Sequence, residues 1–252
     1  LPTVRNKENR SGKTNDLRPW SVFPKEGPSK SKLKHTMVSL FAGCGGLDLG
    51  FHYAGFQVFW ANDIDSDACE TYRKNIGDIT EGDVVKLGFP ELDKKPDVVA
   101  AGFPCQSFSN AGSRRGVTEE RGVLYKIALK AVDHYEPRIV VFENVRGLMS
   151  AKDGDKLVVQ KICERLSKMQ YNTYFKLIDA SRYGVPQRRL RLFIVGVKKS
   201  YRCGDFVFPP EITSDDGLSL QDTLFDVPSD APNQHELLSL NPQAIQIGAL
   251  VP

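Results

Sequence analysis

Cys105 carries the strongest sign of chemistry in this sequence. It follows the apolar run Val98–Ala101 and the tripeptide Gly102-Phe103-Pro104, and Gln106-Ser107-Phe108-Ser109 comes after it. A thiol just beyond a buried strand lies where an α/β sheet presents reactive groups. We interpret Cys105 as a candidate nucleophile. The alternative is an inert, half-buried thiol that ends a strand.

Two carboxylates also follow predicted strands. A strand over 37–41 leads through the glycine turn 42–46 into a helix over 47–54, and Asp63 follows a second strand over 57–61. An acid about twenty residues past a glycine turn is typical of nucleoside-binding folds. Glu143 ends another strand, over 138–142. We therefore expect a nucleoside pocket, with Glu143 facing Cys105 across the sheet edge.

The remaining periodicity indicates an α/β fold with a mostly parallel, doubly wound sheet and a C-terminal antiparallel hairpin strand. Residues 1–35 hold nine Lys and Arg against three Asp and Glu, and we interpret them as a basic, flexible extension. Residues 36–200 are the predicted catalytic domain, and 201–252 a linker. Further helices are predicted over 65–75, 122–135 and 155–169, and further strands over 97–101, 171–178 and 190–197, the last two joined by a turn-rich link at 181–189.

Composition excludes several classes of protein. The chain has 252 residues, of which 40% are hydrophobic and 26% charged, enough for a sizeable core. No apolar run approaches the roughly 20 residues of a membrane span. Its five cysteines are scattered without zinc-ligand spacing. We expect free thiols, no metal, no membrane and a cytoplasmic location.

Four phrases, taken together, resemble the cytosine-5 DNA methyltransferase family over nearly all of residues 37–197. They are Phe41-Ala42-Gly43-Cys44-Gly45-Gly46, the phrase 102–109 around Cys105, Glu143-Asn144-Val145 and Gln187-Arg188-Arg189-Leu190-Arg191. The resemblance implies an S-adenosylmethionine-dependent methyltransferase fold that acts on double-stranded DNA and releases S-adenosylhomocysteine. A bacterial restriction-modification enzyme is the expected setting, with a nuclear location if the source is eukaryotic.

The resemblance also implies a set of cofactor-binding residues. Asp63 would hold the ribose hydroxyls, and Ile64 would pack on the adenine. For the adenine amine we choose Asp83 over Asp78, because it stands 22 positions before Cys105. The full implied set is Phe41, Ala42, Gly43, Gly45, Gly46, Asp63, Ile64, Asp83, Val84, Pro104 and Leu124.

The implied chemistry begins with addition of the Cys105 thiolate to C6 of a flipped-out cytosine. Glu143 would hydrogen-bond N3 and Arg191 would assist at O2. Asn144 and Arg189 complete the catalytic set, although Asn144 could mainly order the Cys105 loop and Arg189 could contact phosphate or brace the hairpin. The loop 107–121 corresponds to a mobile catalytic loop, or is a solvated surface loop. Implied DNA contacts are Gln106, Ser109, Arg114, Arg115 and Arg121.

The family's target-recognition region and last two motifs do not occur in this sequence. We therefore expect a fragment, or one subunit of a two-chain enzyme whose partner supplies recognition. Three alternatives remain: a transfer-RNA cytosine-5 methyltransferase on the same fold, a non-catalytic binding subunit, and a nicotinamide-dependent oxidoreductase.

Overall fold

In the part of the chain that the structure describes, seven strands pair into one sheet in the order β3-β2-β1-β4-β5-β9-β8, and two more form a small hairpin. The structure is a computed structural model that describes residues 34–104, 124–202 and 204–213. The strands are β1 (His35–Leu40), β2 (Phe56–Asp63), β3 (Thr80–Glu81), β4 (Val98–Ala101), β5 (Ile139–Val145), β6 (Lys152–Asp153), β7 (Lys156–Leu157), β8 (Tyr171–Asp179) and β9 (Leu190–Lys198).

Strand direction confirms the predicted sheet. Strands β1 to β5 pair in parallel, and β9 runs antiparallel to both β5 and β8. The parallel strands therefore end at one edge, where β8 also ends and β9 begins. In an open α/β sheet this edge is where ligands bind.

Both faces of the sheet are covered, as the near-continuous apolar strands require. In β1, Val38 and Leu40 join the larger core cluster with α4 (Leu124–Tyr135) and α5 (Val158–Lys168). Met37 comes one position before Val38 and therefore points to the opposite face, where it packs against α1 (Gly46–Tyr53). The sheet is therefore doubly wound.

Helix ends follow local capping chemistry. The α2 helix (Ser66–Asn75) begins where the Asp65 side chain accepts a hydrogen bond from Ala68 N–H at 2.9 Å, a standard N-cap. The predicted start of the last helix at 155 is too early by three residues, because Lys156 and Leu157 pair in the β6–β7 hairpin. Strand β3 and the short α3 helix (Val84–Leu87) were not predicted.

The described residues beyond β9 run along the outside of the sheet edge. Phe206 packs against Tyr174 of β8, with the two rings tilted and their centroids 5.5 Å apart. Further on, the N–H groups of Ile212 and Thr213 donate to the carbonyl of Arg182. The 204–213 segment is thereby fastened beside the link between β8 and β9. Within the described ranges, no helix is long and apolar enough to cross a bilayer.

Candidate active site

A cleft of about 420 Å³ opens at the carboxyl edge of the parallel strands. The start of the α1 helix borders it on one side, and the antiparallel strand β9 on the other. Its described lining residues are Ser39, Phe41, Ala42, Gly46, Leu47, Gly102, Glu143, Ile178, Ala180, Arg189, Arg191 and Phe193. Six of the residues predicted for the site therefore line one cleft.

The glycine turn is built from backbone conformations that most residues avoid. The φ angles are 54° at Phe41, 56° at Gly43 and 87° at Gly45. Gly45 is the N-cap of α1, and a Cβ there would lie 2.8 Å from the Tyr72 ring. Phe41 is not a glycine and so stores strain, which occurs most often at functional sites.

Asp63 fastens this turn to the end of β2. Its Oδ2 accepts a hydrogen bond from Gly43 N–H at 2.7 Å, and its Oδ1 accepts one from Asp65 N–H at 2.9 Å. Each carboxylate oxygen has two lone pairs, so both can still accept a ligand hydroxyl. The sequence did not predict that Asp63 supports the glycine turn, because nothing in a linear sequence pairs an acid with an N–H twenty residues earlier.

The adjacent strand end brings Asp83 to the same edge. Thr80 and Glu81 pair with Asn62 and Asp63, and Gly82 N–H donates to the Asp63 carbonyl at 2.8 Å. Asp83 follows directly and caps α3, whereas Asp78 precedes β3. This placement supports the choice of Asp83, which stays a prediction.

The apolar residues predicted around the adenine have different environments. Ile64 is 69% exposed beside Asp63, so its side chain is available to a flat ligand. Val84 is only 4% exposed and belongs to the larger core cluster. Leu124 is half-buried at the start of α4 and packs against the same cluster. Of the three, Ile64 has the accessible surface that an apolar ring needs.

The approach to Cys105 is held by Asn144. Its buried Nδ2 donates to the carbonyl of Phe103 at 2.6 Å, and its Oδ1 accepts from Val145 N–H at 2.9 Å. Pro104 is the last described residue before the gap at 105–123. The predicted nucleophile Cys105 and the predicted DNA contacts Gln106, Ser109, Arg114, Arg115 and Arg121 lie outside the described residues.

Glu143 and Arg191 form an ion pair across β5 and β9. Arg191 Nε lies 2.9 Å from Glu143 Oε1, and both side chains are about three-quarters buried, with exposed fractions of 22% and 26%. Register explains the contact: Arg191 pairs with Val145, two residues from Glu143 and therefore on the same sheet face. Arg189 is exposed and borders the same cleft.

Gly102 lies between the two sides of the cleft. A Cβ there would come within 3.4 Å of the Phe41 carbonyl oxygen and 3.8 Å of Glu143 Oε2. The glycine turn and the Glu143 carboxylate are therefore near neighbours, separated by little more than one residue's backbone.

A buried carboxyl group under the cleft was also missed. Asp48 Oδ1 accepts a hydrogen bond from Ser39 Oγ at 2.6 Å, and Oδ2 accepts one from Tyr72 OH at 2.7 Å. Burial raises the pKa of Asp48 despite these bonds. An acid in the first turn of α1 was the available signal, but its partners are 9 and 24 residues away.

In the described part of the chain, no cluster of metal-ligating side chains occurs.

Comparison with known proteins agrees with this geometry. The model of the C-5 cytosine-specific DNA methylase family matches residues 35–245. The Type II methyltransferase M.NgoFVII of Neisseria gonorrhoeae is 38% identical over 89% of this chain and 61% of its own length. M.FnuDI of Fusobacterium nucleatum is 37% identical over 77% of this chain and 56% of its own length. The chain thus spans somewhat over half the length of these two relatives.

Solved structures show the same fold. A crystal structure described as a prophage-encoded DNA modification methyltransferase of Escherichia coli has a TM-score of 0.65 at 30% identity, covering 77% of this chain and 56% of its own. The Dnmt2 methyltransferase of S. pombe has a TM-score of 0.54 at 20% identity, with 79% and 57% covered. Given the family match over most of its length, the chain belongs to the C-5 cytosine-specific DNA methylase family.

Proposed function

We propose that this chain is the catalytic and cofactor-binding part of a DNA cytosine-5 methyltransferase that uses S-adenosylmethionine. The observation that carries the proposal is the Glu143–Arg191 pair, which shares a cleft with the glycine turn and adjoins the entry to Cys105. A hydrogen-bonding pair beside a predicted nucleophile suits activation of a ring that is a poor substrate by itself.

The cofactor side has donors and acceptors that fit a nucleoside. Asp63 has free lone pairs for ribose hydroxyls, Asp83 stands at the next strand end, and Ile64 offers an exposed apolar surface. When bound, S-adenosylmethionine supplies an electrophilic methyl group on a sulfonium. The glycine turn exposes backbone close to the cleft, so a ligand can approach without meeting side chains.

The side of the cleft with Glu143 and Arg191 carries the proton chemistry on the target cytosine. The Cys105 thiolate forms a bond to C6 of cytosine, and the electron pair of the C5–C6 double bond is left on C5 and the ring. A proton shared between Glu143 and N3 offsets that charge, and the N–H groups of Arg191 not used on Glu143 or on the Leu190 carbonyl serve O2. Positioned proton transfer of this kind contributes roughly 10²- to 10⁴-fold to rate.

Completion of the reaction reverses the addition. The electron pair on C5 would first form the bond to the methyl carbon, and the C–S electron pair would stay on the sulfur, which becomes a neutral thioether. A base then removes the C5 proton, the C–H electron pair re-forms the C5–C6 double bond, and the thiolate of Cys105 leaves C6. Because C6 is inaccessible inside a stacked duplex, the cytosine must turn out of the helix into the cleft. Asn144 supports the step indirectly, through its hydrogen bond to the Phe103 carbonyl two residues before Cys105.

Target choice is proposed to come from sequence that this chain does not contain. The curated relatives are longer, and the chain matches 61% and 56% of the first two. The remaining recognition part would be either a continuation of this polypeptide or a second subunit. The bacterial Type II relatives support a cytoplasmic restriction-modification enzyme that acts on double-stranded DNA.

A covalent trap tests the proposal. The full-length protein, with any partner subunit, is incubated with S-adenosylmethionine and duplex DNA containing 5-fluorocytosine, whose C5 fluorine blocks the final elimination. We expect an adduct that peptide mass spectrometry maps to Cys105. It should be lost in Cys105→Ser and kept in Cys163→Ser, a half-buried thiol on α5.

Other results would point to the alternatives. Methyl incorporation into transfer RNA but not DNA would favour the RNA enzyme. Cofactor binding with no adduct, although all subunits are present, would mean a non-catalytic binding protein. Binding of NAD in preference to S-adenosylmethionine would indicate the oxidoreductase.

A further inference from the structure

One oxygen atom of Asp179 ties together the two ends of the link between β8 and β9. Oδ1 of Asp179 accepts a hydrogen bond from Ser181 N–H at 3.1 Å and a second from Arg189 N–H at 3.1 Å. The backbone joins the same two ends, because Ala180 N–H donates to the Arg189 carbonyl at 3.0 Å. We call these joined ends, residues 179–181 and 189–190, the neck of the link. Arg189 is therefore held on both of its backbone polar groups.

The tied neck lies directly at the cleft. Asp179 is the last residue of β8 and pairs with Leu190, the first residue of β9. Ile178 and Ala180, on either side of Asp179, line the cleft, as does Arg189. Asp179 is not among the described lining residues, so any effect it has on the cleft passes through the residues that it holds.

The rest of the link is fastened independently of Asp179. The Arg182 carbonyl accepts hydrogen bonds from Ile212 N–H at 2.9 Å and Thr213 N–H at 3.1 Å. Tyr183 OH donates to the Pro209 carbonyl at 3.1 Å. These contacts hold the first turn of the link from outside, and leave the return to β9 to Asp179 and Ala180.

Arg189, which is part of the neck, and Arg191, two residues further on, have separate tasks. Arg191 pairs with Glu143 at 2.9 Å, so its place depends on the register with which β9 starts. Arg189 precedes β9 and is exposed, and among the described residues the hydrogen bonds that hold its backbone beside the cleft are those of the neck. A change at the neck should therefore move Arg189 most and Arg191 less.

We propose that Asp179 is a positioning residue for the target base, holding Arg189 at the cleft and starting β9 in the register that pairs Arg191 with Glu143. The inference rests on the proposed function for its consequence in catalysis, but its structural part stands apart from it. Misplacement of a substrate-facing group by about 1 Å can cost roughly a hundredfold in rate.

The chain offers a matched pair of substitutions. Asp179→Ala removes the acceptor of both hydrogen bonds. Asp179→Asn keeps a carbonyl oxygen with two lone pairs at the same place, so both bonds can re-form without the negative charge. If geometry is what matters, the asparagine variant should recover most of what the alanine variant loses.

Limited trypsin digestion of the full-length protein tests the structural part without any activity. The bonds after Arg188 and Arg189 should be cut about tenfold faster in Asp179→Ala than in the wild type or Asp179→Asn. The bond after Lys94, in the loop before β4, provides an internal reference whose rate should not change. Equal cutting after Arg189 in all three proteins would overturn the proposal.

Single-turnover methylation of duplex DNA tests the consequence. The rate should fall roughly 10- to 100-fold in Asp179→Ala and largely return in Asp179→Asn, while S-adenosylmethionine affinity stays unchanged because the glycine turn lies on the other side of the cleft. A wild-type rate in Asp179→Ala would overturn the proposal. If the wild type itself methylates no DNA, the proposed function fails, and digestion alone decides whether Asp179 holds Arg189.

Discussion

The two sides of the cleft are built in different ways. The glycine turn takes its shape from backbone angles, with positive φ at Phe41, Gly43 and Gly45. The opposite side depends on side chains, because the Glu143–Arg191 ion pair spans an antiparallel strand pair. The first side is shaped by glycines, which have no side chain, and the second by the functional groups of its side chains.

This difference predicts how each side fails. Adding a methyl group to the turn should damage folding and cofactor binding together, since backbone shape and ligand approach depend on the same space. Exchanging a functional group on the β5–β9 side should stop chemistry and leave the fold almost intact. Substitutions that separate stability from rate therefore test whether the division holds.

The largest expected effect is in rate, from Glu143→Gln. Glutamine keeps the size of the side chain and a hydrogen bond to Arg191, but it cannot share a proton with N3. Single-turnover methylation should fall about 10²- to 10⁴-fold. The free energy of unfolding should change by no more than about 1 kcal/mol, because glutamine keeps both the packing and the hydrogen bond to Arg191.

Glu164→Gln is the matched control for this variant. Glu164 pairs with Lys156 at 2.9 Å on the open surface, and its loss should leave the methylation rate unchanged. Near-normal methylation by Glu143→Gln would remove Glu143 from the chemistry and with it the contrast between the two sides.

Gly45→Ala should have the largest effect on stability. A Cβ at Gly45 meets the Tyr72 ring at 2.8 Å and forces φ of 87° on a non-glycine residue. Strain and overpacking together should lower the free energy of unfolding by about 2–4 kcal/mol. Denaturant titration measures this loss, and calorimetry should show weaker S-adenosylmethionine binding.

Gly50→Ala separates a shape requirement from a general intolerance of α1 to substitution. Gly50 lies inside the same helix, and a Cβ there meets nothing within 4 Å. Its replacement should stabilise the protein by about 0.5–1 kcal/mol. Equal destabilisation by both variants would contradict the backbone explanation.

Asn144→Ala should combine the two kinds of damage at lower cost. It leaves the Phe103 carbonyl without the Nδ2 donor at 2.6 Å, and an unsatisfied buried acceptor costs about 1–3 kcal/mol. The unfolding temperature and the yield of the Cys105 adduct should both fall. Asn172→Ala, at an exposed position of β8, should alter neither quantity. An equal fall in that variant would contradict the role given to the Asn144 hydrogen bond.

The placement of the site was predictable because it follows from topology. Apolar strands that end in glycine or an acid predict that Asp63, Glu143 and the glycine turn meet at one sheet edge, and the parallel register confirms that edge. Strand β3 was not predictable, since two residues carry no periodicity. It depends on Asn62 Nδ2, which donates to the carbonyls of Thr80 and Gly82 at 2.8 and 2.9 Å.

Buried polar groups were the other omission. The hydrogen bonds of Asp48 to Ser39 and Tyr72 join two helices to a strand. An acid on a short helix usually faces solvent, so its type alone predicts the opposite of what the structure has. Such contacts are set by three-dimensional packing, and the sequence shows only the residue types.

Asp63→Asn should give the smallest effect and the sharpest test of the division, because Asp63 is a side chain that serves the backbone-built side. An amide has one acceptor oxygen, so it can keep the bond from Gly43 N–H or from Asp65 N–H but not both at their present distances of 2.7 and 2.9 Å. Loss of one such bond costs about 1–1.5 kcal/mol. We expect a comparable fall in stability and a roughly tenfold weaker S-adenosylmethionine affinity by calorimetry, with the rate at saturating cofactor unchanged. A fall in that saturated rate instead would mean that the turn also sets the geometry of the Glu143 side, as the position of Gly102 between Phe41 and Glu143 would allow.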